Sequence, residues 1–145
     1  MADAFRARNA PVVLVRVNGA APGRTETPPR TTAMPDGWDT IVDDLTGHPD
    51  DLVITKRTWG AFHDTALHQR LHERGITQIV LAGVATSAGV ESTARAAHEH
   101  GYHVTLATDA MTDLDLDAHH HTVERVFPRI GQRATTSDLL TNLNH

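Results

Sequence analysis

The feature that most constrains this chain is a series of five short apolar runs, largely β-branched, that are separated by long connections. The runs lie at residues 12–17, 51–55, 78–82, 103–107 and, with a weaker pattern, 133–136. Continuous apolar runs without polar alternation are typical of strands buried on both faces. Because each connection is long enough for a crossover, we expect the strands to form a parallel sheet.

Helical patterns fall between these runs, and each repeats small or apolar residues at spacings of three and four. The stripes are Leu67 and Leu71 within 64–74, Val90, Ala94 and Ala97 within 87–100, and Val123, Val126, Phe127 and Ile130. Gly75 and Gly101 are expected to end the first two helices. The alternation predicts an α/β fold, a three-layer, doubly wound, Rossmann-type parallel sheet with sites beyond the carboxyl ends of the strands.

The length of the chain limits its organisation. At 145 residues we expect a single domain, residues 1–145. Residues 18–36 hold four prolines and no apolar period, which predicts an ordered surface loop. A flexible linker between two domains is the alternative, but too little sequence precedes it to make a domain. Residues 1–8 have the pattern of the tail of a helix, so we expect that sequence is missing upstream.

The composition excludes several classes of protein. The sequence has no cysteine, which excludes disulfides, thiolate metal sites and thiol chemistry. No segment approaches the roughly 20 apolar residues of a membrane span. The formal charge of −5, without a basic cluster, argues against nucleic acid as a partner. We therefore expect a cytoplasmic protein that needs no cofactor and binds neither membrane nor nucleic acid.

Two strand ends carry candidate site residues. Lys56 directly follows the run 51–55, where burial would lower the pKa of its ammonium group. The alternative is that Lys56 and Arg57 only mark the solvent-exposed end of a strand. Residues 81–90 lead from a strand into a helix through small side chains, which leaves backbone N–H groups open to an oxyanion, carboxylate or phosphate. Close packing of the helix explains the small residues equally well.

Other polar residues are weaker candidates. Asp109 follows the run 103–107 and either joins the rim of the site or caps the segment that follows. His68 and His72 have the spacing of two metal ligands on one helical face. Since the sequence places no third ligand beside them, we interpret both as surface histidines and expect no metal. The serines lie outside the Gly-x-Ser-x-Gly elbow of serine hydrolases.

Two longer motifs carry a family resemblance. KRTWGAF at residues 56–62 and GVATSAGVESTAR at 83–95, followed by Gly101-Tyr102 and Asp109-Ala110, resemble the isochorismatase-like, or cysteine hydrolase, superfamily. The order and spacing match over roughly the whole chain. The resemblance implies that Lys56 is catalytic and that Ala61 and Phe62 lie beside the substrate pocket. The family's nucleophile position is held here by Gly89.

The resemblance also implies the remaining site residues. A non-proline cis peptide is expected at Val84–Ala85, with backbone N–H groups of Ala85 and Gly89 directed at a substrate oxygen. On the same basis we assign substrate binding to a set of residues that flanks both motifs. The set is Phe62, Trp59, Asn18, Thr86 and Ser87.

Two departures from the family pattern matter. With glycine at position 89 no thioester can form, so amidase activity of the cysteine type is not expected. True isochorismatases share this glycine and cleave a vinyl ether by proton transfer. The family's catalytic aspartate ends a central strand that would lie between runs 12–17 and 78–82, and no such segment is present. Its absence would leave two interior strand edges unpaired, so either the chain is truncated upstream or another segment fills the gap.

These observations favour an isochorismatase-family hydrolase of a small organic metabolite, an ether or ester-like compound, without a cysteine nucleophile. Lys56 would act as the electrostatic or acid partner and the loop from Ala85 to Gly89 as the oxyanion site, with an acid from upstream sequence. The alternative is a catalytically degenerate member that binds a metabolite or self-associates. Metal chemistry through histidines is the least favoured hypothesis. Because the family commonly forms dimers or tetramers, we expect a homo-oligomer.

Overall fold

A computed structural model describes residues 1–27 and 33–143, which form five strands and five α-helices. In chain order these are α1 Ala2–Arg6, β1 Val13–Val17, β2 Leu52–Lys56, α2 Leu67–Glu73, β3 Gln78–Val84, α3 Glu91–Glu99, β4 His103–Thr112, α4 Leu116–His121, β5 Gln132–Ala134 and α5 Thr136–Leu143. Short π-helical turns lie at Thr86–Val90 and Thr122–Val126, and 3-10 turns lie at Asp43–Leu45 and Phe127–Arg129. None of the described helices is long and apolar enough to cross a membrane.

The strand pattern confirms the predicted α/β class, since every strand pair in the described residues is parallel. β4 differs from its prediction because it continues to Thr112. Leu81 pairs with Leu106 and Gly83 pairs with Met111, so residues 107–110 of β4 lie opposite the single residue Ala82. This bulge lengthens β4, and bulges bend a strand locally.

The strands form two sheets. β1 pairs with β2, from Val13 opposite Leu52 to Val17 opposite Lys56, while β3, β4 and β5 form the second sheet in that order. No ladder joins β1 to β3 in the described part of the chain. The structure therefore has the two unpaired interior edges that the sequence predicted.

The helices bury the stripes that their periodicity predicted. Leu67 and Leu71 of α2 are each 4% exposed, and Ala94 and Ala97 of α3 are fully buried. Gly75 and Gly101 follow α2 and α3 with φ of +64° and +87°, the left-handed conformation in which glycine ends helices. The small side chains of α3 allow a close approach to the sheet. The helix predicted at 87–100 differs at its start, where a π-helical turn precedes α3.

The segment 116–130 departs from the predicted helix. It consists of α4, a π-helical turn and a 3-10 turn, although its stripe still packs inward and Phe127 is fully buried. Pro128 lacks the N–H group that a continuing α-helix would need. Residues 18–27 and 33–36 of the predicted loop contain no helix or strand, and residues 28–32 lie outside the described residues.

The helix predicted at residues 1–8 is confirmed as α1, and an ion pair holds it to the first sheet. Arg6 donates from Nε and Nη2 to the two carboxylate oxygens of Asp51, at 3.2 and 2.6 Å. The side chain of Asp51 is 5% exposed, and the hydrogen bonds from Arg6 lower the pKa of its carboxyl group. α1 therefore has a fixed place beside the start of β2.

Candidate active site

Lys56 ends β2 and is the single lysine of the sequence. Its Nζ donates a hydrogen bond to the carbonyl oxygen of Trp59, three residues further along the chain. The side chain is half-buried, and this burial lowers the pKa of Lys56. Lys56 forms no ion pair with any described carboxylate. The site therefore holds a cation that gives up its proton more easily than a free lysine does.

Asn18 lies beside Lys56 because it directly follows β1. Its backbone N–H donates to the Lys56 carbonyl oxygen at 3.0 Å, which extends the β1–β2 ladder by one residue. The side chain of Asn18 is exposed. Asn18 and Lys56 thus meet at the carboxyl edge of the first sheet, the edge where α/β sheets place their sites.

The loop that follows β3 supplies backbone N–H groups. The Val84–Ala85 peptide is cis, as the resemblance implied, and the π-helical turn begins at Thr86. The N–H groups of Ala88 and Val90 donate to the Ala85 carbonyl oxygen at 3.2 and 3.1 Å. Among the turn, loop and cap hydrogen bonds of the described residues, none is donated by the backbone N–H of Ala85 or of Gly89.

Gly89 faces the ammonium group of Lys56. A Cβ atom added at position 89 would lie 3.0 Å from Lys56 Nζ and 3.4 Å from the Trp59 carbonyl oxygen. The two motifs that are 33 residues apart in the sequence therefore converge at one point. Thr93 links the two motifs by hydrogen bonds. Its hydroxyl donates to the Gly89 carbonyl oxygen at 2.7 Å and accepts from the Ala61 N–H at 3.0 Å.

The sequence analysis missed the side chains that anchor the loop. Asp113 Oδ2 accepts a hydrogen bond from the Ser87 N–H at 2.6 Å, and this bond lowers the pKa of the Asp113 carboxyl group. Thr86 is fully buried and its Oγ1 shares a hydrogen bond of 2.8 Å with His119 Nδ1. The only sequence signal for Asp113 was that it is one of two aspartates directly after β4. The other, Asp115, caps α4.

Three further candidate residues, Phe62, Trp59 and Asp109, differ in how buried their side chains are and in their contacts. Phe62 is 8% exposed and stacks on Tyr102 in the core, with ring centroids 5.8 Å apart. The side chain of Trp59 is two-thirds exposed. Asp109 accepts hydrogen bonds from the N–H and hydroxyl of Thr136 at 2.8 and 2.9 Å. It therefore bonds to the first residue of α5 and not to the segment that directly follows Asp109, while its place on the rim of the site stays a prediction.

Of the two histidines with the spacing of metal ligands, His68 stacks on His100, while its ring is tilted by 47° against that of His72. His68 and His100 lie with centroids 4.1 Å apart, and His68 Nδ1 is 2.9 Å from the Tyr102 hydroxyl. Desolvation and the neighbouring His100 and His72 lower the pKa of His68. Among the described residues, no group of three potential ligands has the geometry of a metal site.

Comparison with known proteins gives the family. The isochorismatase domain model matches residues 1–138. The isochorismatase family protein YwoC of Bacillus subtilis is 39% identical over 97% of this chain and 78% of its own length. A solved isochorismatase family protein from Burkholderia thailandensis superposes with a TM-score of 0.93 and 40% identity over 99% of this chain and 79% of that one. The ureidoacrylate amidohydrolase RutB of Methylorubrum extorquens is 39% identical over half of this chain and 30% of its own length. The converging lysine and loop motifs thus belong to a member of the isochorismatase family of hydrolases.

Proposed function

We propose that this protein hydrolyses a small organic metabolite, an ether or ester-like compound, without covalent catalysis by cysteine. The observation that carries the proposal is the 3.0 Å separation between Lys56 Nζ and the Cβ position of residue 89. Glycine has no side chain that could act as a nucleophile at position 89, so the place of such a side chain is a space beside the ammonium group of Lys56. Since the sequence has no cysteine, a thiol cannot attack, and in our proposal water takes that role.

Lys56 acts as the acid or electrostatic partner in this proposal. Its lowered pKa, caused by burial, brings the ammonium group nearer to the pH at which proton transfer is efficient. If the proton stays on nitrogen, the positive charge stabilises negative charge that develops on a substrate oxygen in the same partly desolvated space. Either role requires a substrate oxygen near Gly89.

The loop after β3 is the oxyanion site of the proposal. The N–H groups of Ala85 and Gly89 lie at the amino end of the helical segment, where the helix dipole favours negative charge. The bond from Ser87 N–H to Asp113 holds the loop backbone in place from the other side. Asn18, Trp59, Ser87 and Phe62 remain our candidates for substrate contacts, and Thr86 contributes by packing since it is fully buried.

A turnover screen tests the proposal. The substrates are isochorismate, a simple vinyl ether, small esters and small amides, with products followed by NMR. We expect turnover of an ether or ester, and we expect Lys56→Met to lower kcat by about 100-fold or more, the size of a general-acid contribution. Lys56→Arg keeps the charge and serves as the matched control. Turnover that survives Lys56→Met, or turnover of amides alone, would contradict the proposal.

A second candidate is a catalytically inactive family member that binds a metabolite. The observation in its favour is that no carboxylate among the described residues pairs with Lys56, so these residues offer the lysine no acidic partner for a proton relay. This candidate predicts saturable binding of a metabolite without product. We also propose self-association into a homo-oligomer, for which the exposed side chains of Leu114 and Leu116 offer apolar surface.

A further inference from the structure

A cavity of about 450 Å³ lies at the amino end of the second sheet. Its lining includes the first residues of three adjacent strands, Gln78 of β3, His103 of β4 and Gln132 of β5. The strands of this sheet are parallel, so their amino ends lie along one edge. Lys56 and Gly89 follow the carboxyl ends of their strands, at the opposite edge. We call the new site the amino-end cavity.

Packing fixes the floor of the amino-end cavity. Tyr102, Val104 and Ile130 line it and are each at most 9% exposed. Gly131 lies directly against β4, since an added Cβ would be 2.5 Å from the Val104 carbonyl oxygen. The turn at residues 128–131 is therefore held against the start of β4. A ligand would meet a preformed wall, which reduces the cost of ordering the site on binding.

The amino-end cavity is rich in hydrogen-bond donors. His98 near the end of α3 and Arg129 of the 3-10 turn join the three residues that begin the strands. Arginine carries its positive charge at every physiological pH, the glutamine amide donates two N–H groups, and histidine donates at least one. None of the residues that line the cavity is acidic. The site therefore gathers donors around a permanent positive charge.

These donors are available to a ligand. The side chains of Gln78, His98, His103, Arg129 and Gln132 are all exposed. In the part of the chain that the structure describes, they make neither an ion pair nor a hydrogen bond. The arginines at positions 6, 16 and 95, in contrast, each lie within ion-pair distance of a carboxylate. A concave site with several convergent, unpaired polar groups has the form of a small-molecule site.

Charge and shape favour a phosphate group as the ligand of these donors. The planar guanidinium of arginine matches phosphate oxygens with two parallel hydrogen bonds. A phosphate monoester carries a charge of about −1.5 to −2 at pH 7 and has three strong acceptor oxygens, so it can use more of the donors than a carboxylate can. The volume of about 450 Å³ also lies within the range of small-molecule sites, about 300 to 1,000 Å³. It leaves room for an organic part beside the phosphate.

From these features we infer that the amino-end cavity binds a small organic phosphate, with Arg129 as the main contact of the phosphate group. His98 and His103 donate to the remaining phosphate oxygens. Gln78 and Gln132 contact polar groups of the organic part, and Ile130 supplies an apolar surface to it. The inference does not rest on the hydrolysis proposed for the site at Lys56.

The first experiment titrates the protein with phenyl phosphate and follows the backbone amide signals by NMR. We expect saturable binding, with the largest shifts at residues 103–105 and 128–132. Phenol lacks the phosphate and should bind about tenfold more weakly or worse, because charge-assisted hydrogen bonds are lost. Benzoate, a carboxylate of similar size, should also bind more weakly. Absence of saturable binding of phenyl phosphate, or equal affinity for phenol or benzoate, would overturn the inference.

Matched variants locate the phosphate contact. Arg129→Gln removes the charge from the cavity, and its side chain is exposed, so we expect the variant to fold. Arg125 is also exposed and lies outside the cavity, so Arg125→Gln is the control with the same change of net charge. We expect Arg129→Gln to weaken phenyl phosphate binding by about tenfold or more and Arg125→Gln to leave it nearly unchanged. Equal loss in both variants would show attraction by net charge alone and would overturn the inference.

A third variant separates the amino-end cavity from the site at Lys56, where the loop after β3 could also receive an oxyanion. Lys56→Met should leave the affinity for phenyl phosphate and the shifts at residues 128–132 unchanged. His103→Gln provides a second change within the cavity at an exposed side chain and should weaken binding as Arg129→Gln does. Loss of binding in Lys56→Met, with wild-type affinity in Arg129→Gln and His103→Gln, would overturn the inference.

Discussion

Gly89→Cys is the sharpest test of the geometry at the site, because the protein has no other cysteine. The new Cβ would lie 3.0 Å from Lys56 Nζ, the mobile end of a long side chain, so we expect the variant to fold. A thiolate about 4 Å from an ammonium group gains about 4 kcal/mol at an effective dielectric constant of about 20. Lys56 is half-exposed, and solvent screening reduces this gain to about 1 to 1.5 kcal/mol. The introduced thiol should therefore have a pKa about one unit below the ordinary value of about 8.5.

The size of this pKa shift decides which measurement is the more sensitive. At pH 7 the thiolate fraction would rise about eightfold, from about 3% to about 24%. The less basic thiolate is also a weaker nucleophile by about threefold, so the rate at one pH rises only about threefold. The midpoint of the pH profile of iodoacetamide alkylation is the better readout, since it moves by the full unit.

The matched control for this prediction is Gly23→Cys. An added Cβ at Gly23 meets nothing within 4 Å, so its thiol should titrate normally. Adding Lys56→Met to Gly89→Cys should return the midpoint to that of the control. If the midpoint of Gly89→Cys equals that of Gly23→Cys, or does not respond to Lys56→Met, the placement of Lys56 beside residue 89 is wrong.

Three further predictions follow from the described contacts. Acylation of Lys56, located by mass spectrometry, should have a lower pH midpoint in the folded protein than in urea, because burial favours the neutral amine. Asp113→Asn should lower the free energy of unfolding by about 1 kcal/mol at pH 7, measured by urea titration. The difference should vanish in acid, because the pKa of Asp113 is lowered in the folded state, so its contribution is present above the unfolded pKa and disappears as the pH falls through the folded pKa. Gly131→Ala should cost about 1 to 3 kcal/mol in the same titration, because its Cβ would lie 2.5 Å from the Val104 carbonyl oxygen.

Each of these predictions has an outcome that would contradict it. Identical midpoints for Lys56 in the folded and unfolded chain would show that the amine is fully solvated. An Asp113→Asn effect that persists unchanged at pH 3 would show that the carboxylate charge is irrelevant to the loop. For Gly131→Ala the control is Gly23→Ala, and equal stability of the two variants would contradict the close approach to β4.

The strands and the buried stripes of the helices could be predicted because they depend on residues that are close together in the sequence. The runs that became β1 to β4 were identifiable from their apolar, β-branched residues, although β1 and β2 are not buried on both faces, since Val15 and Val53 are 42% and 48% exposed. Leu67 and Leu71 could be assigned to the core from their spacing alone. Lys56 could be placed at a strand end, but its neighbour Gly89 came from the family resemblance, since no spacing relates two motifs on different strands.

The missed features depend on contacts between distant segments. Asp113 bonds to Ser87 across 26 residues, and an aspartate that follows a strand gives no sign in the sequence of which residue it contacts. Asp109 lies in the bulged part of β4 and accepts a hydrogen bond from Thr136 of α5, a contact across 27 residues that no local pattern indicates. Phe62 was assigned to the substrate pocket from the family resemblance; its ring also packs in the core against Tyr102, and its contact with substrate stays a prediction.

The position of Lys56 has a consequence for proteolysis. A lysine-specific endoprotease can cut this chain at one peptide bond, between Lys56 and Arg57, because the sequence contains no other lysine. The residues around this bond lie at the end of β2, paired with β1, and a protease needs an extended, unpaired substrate. Cleavage must therefore wait until β2 separates from β1. Where this opening is fast relative to cleavage, the rate at which two fragments accumulate reports the free energy of opening, and a molecule bound at the carboxyl edge of the first sheet would slow it.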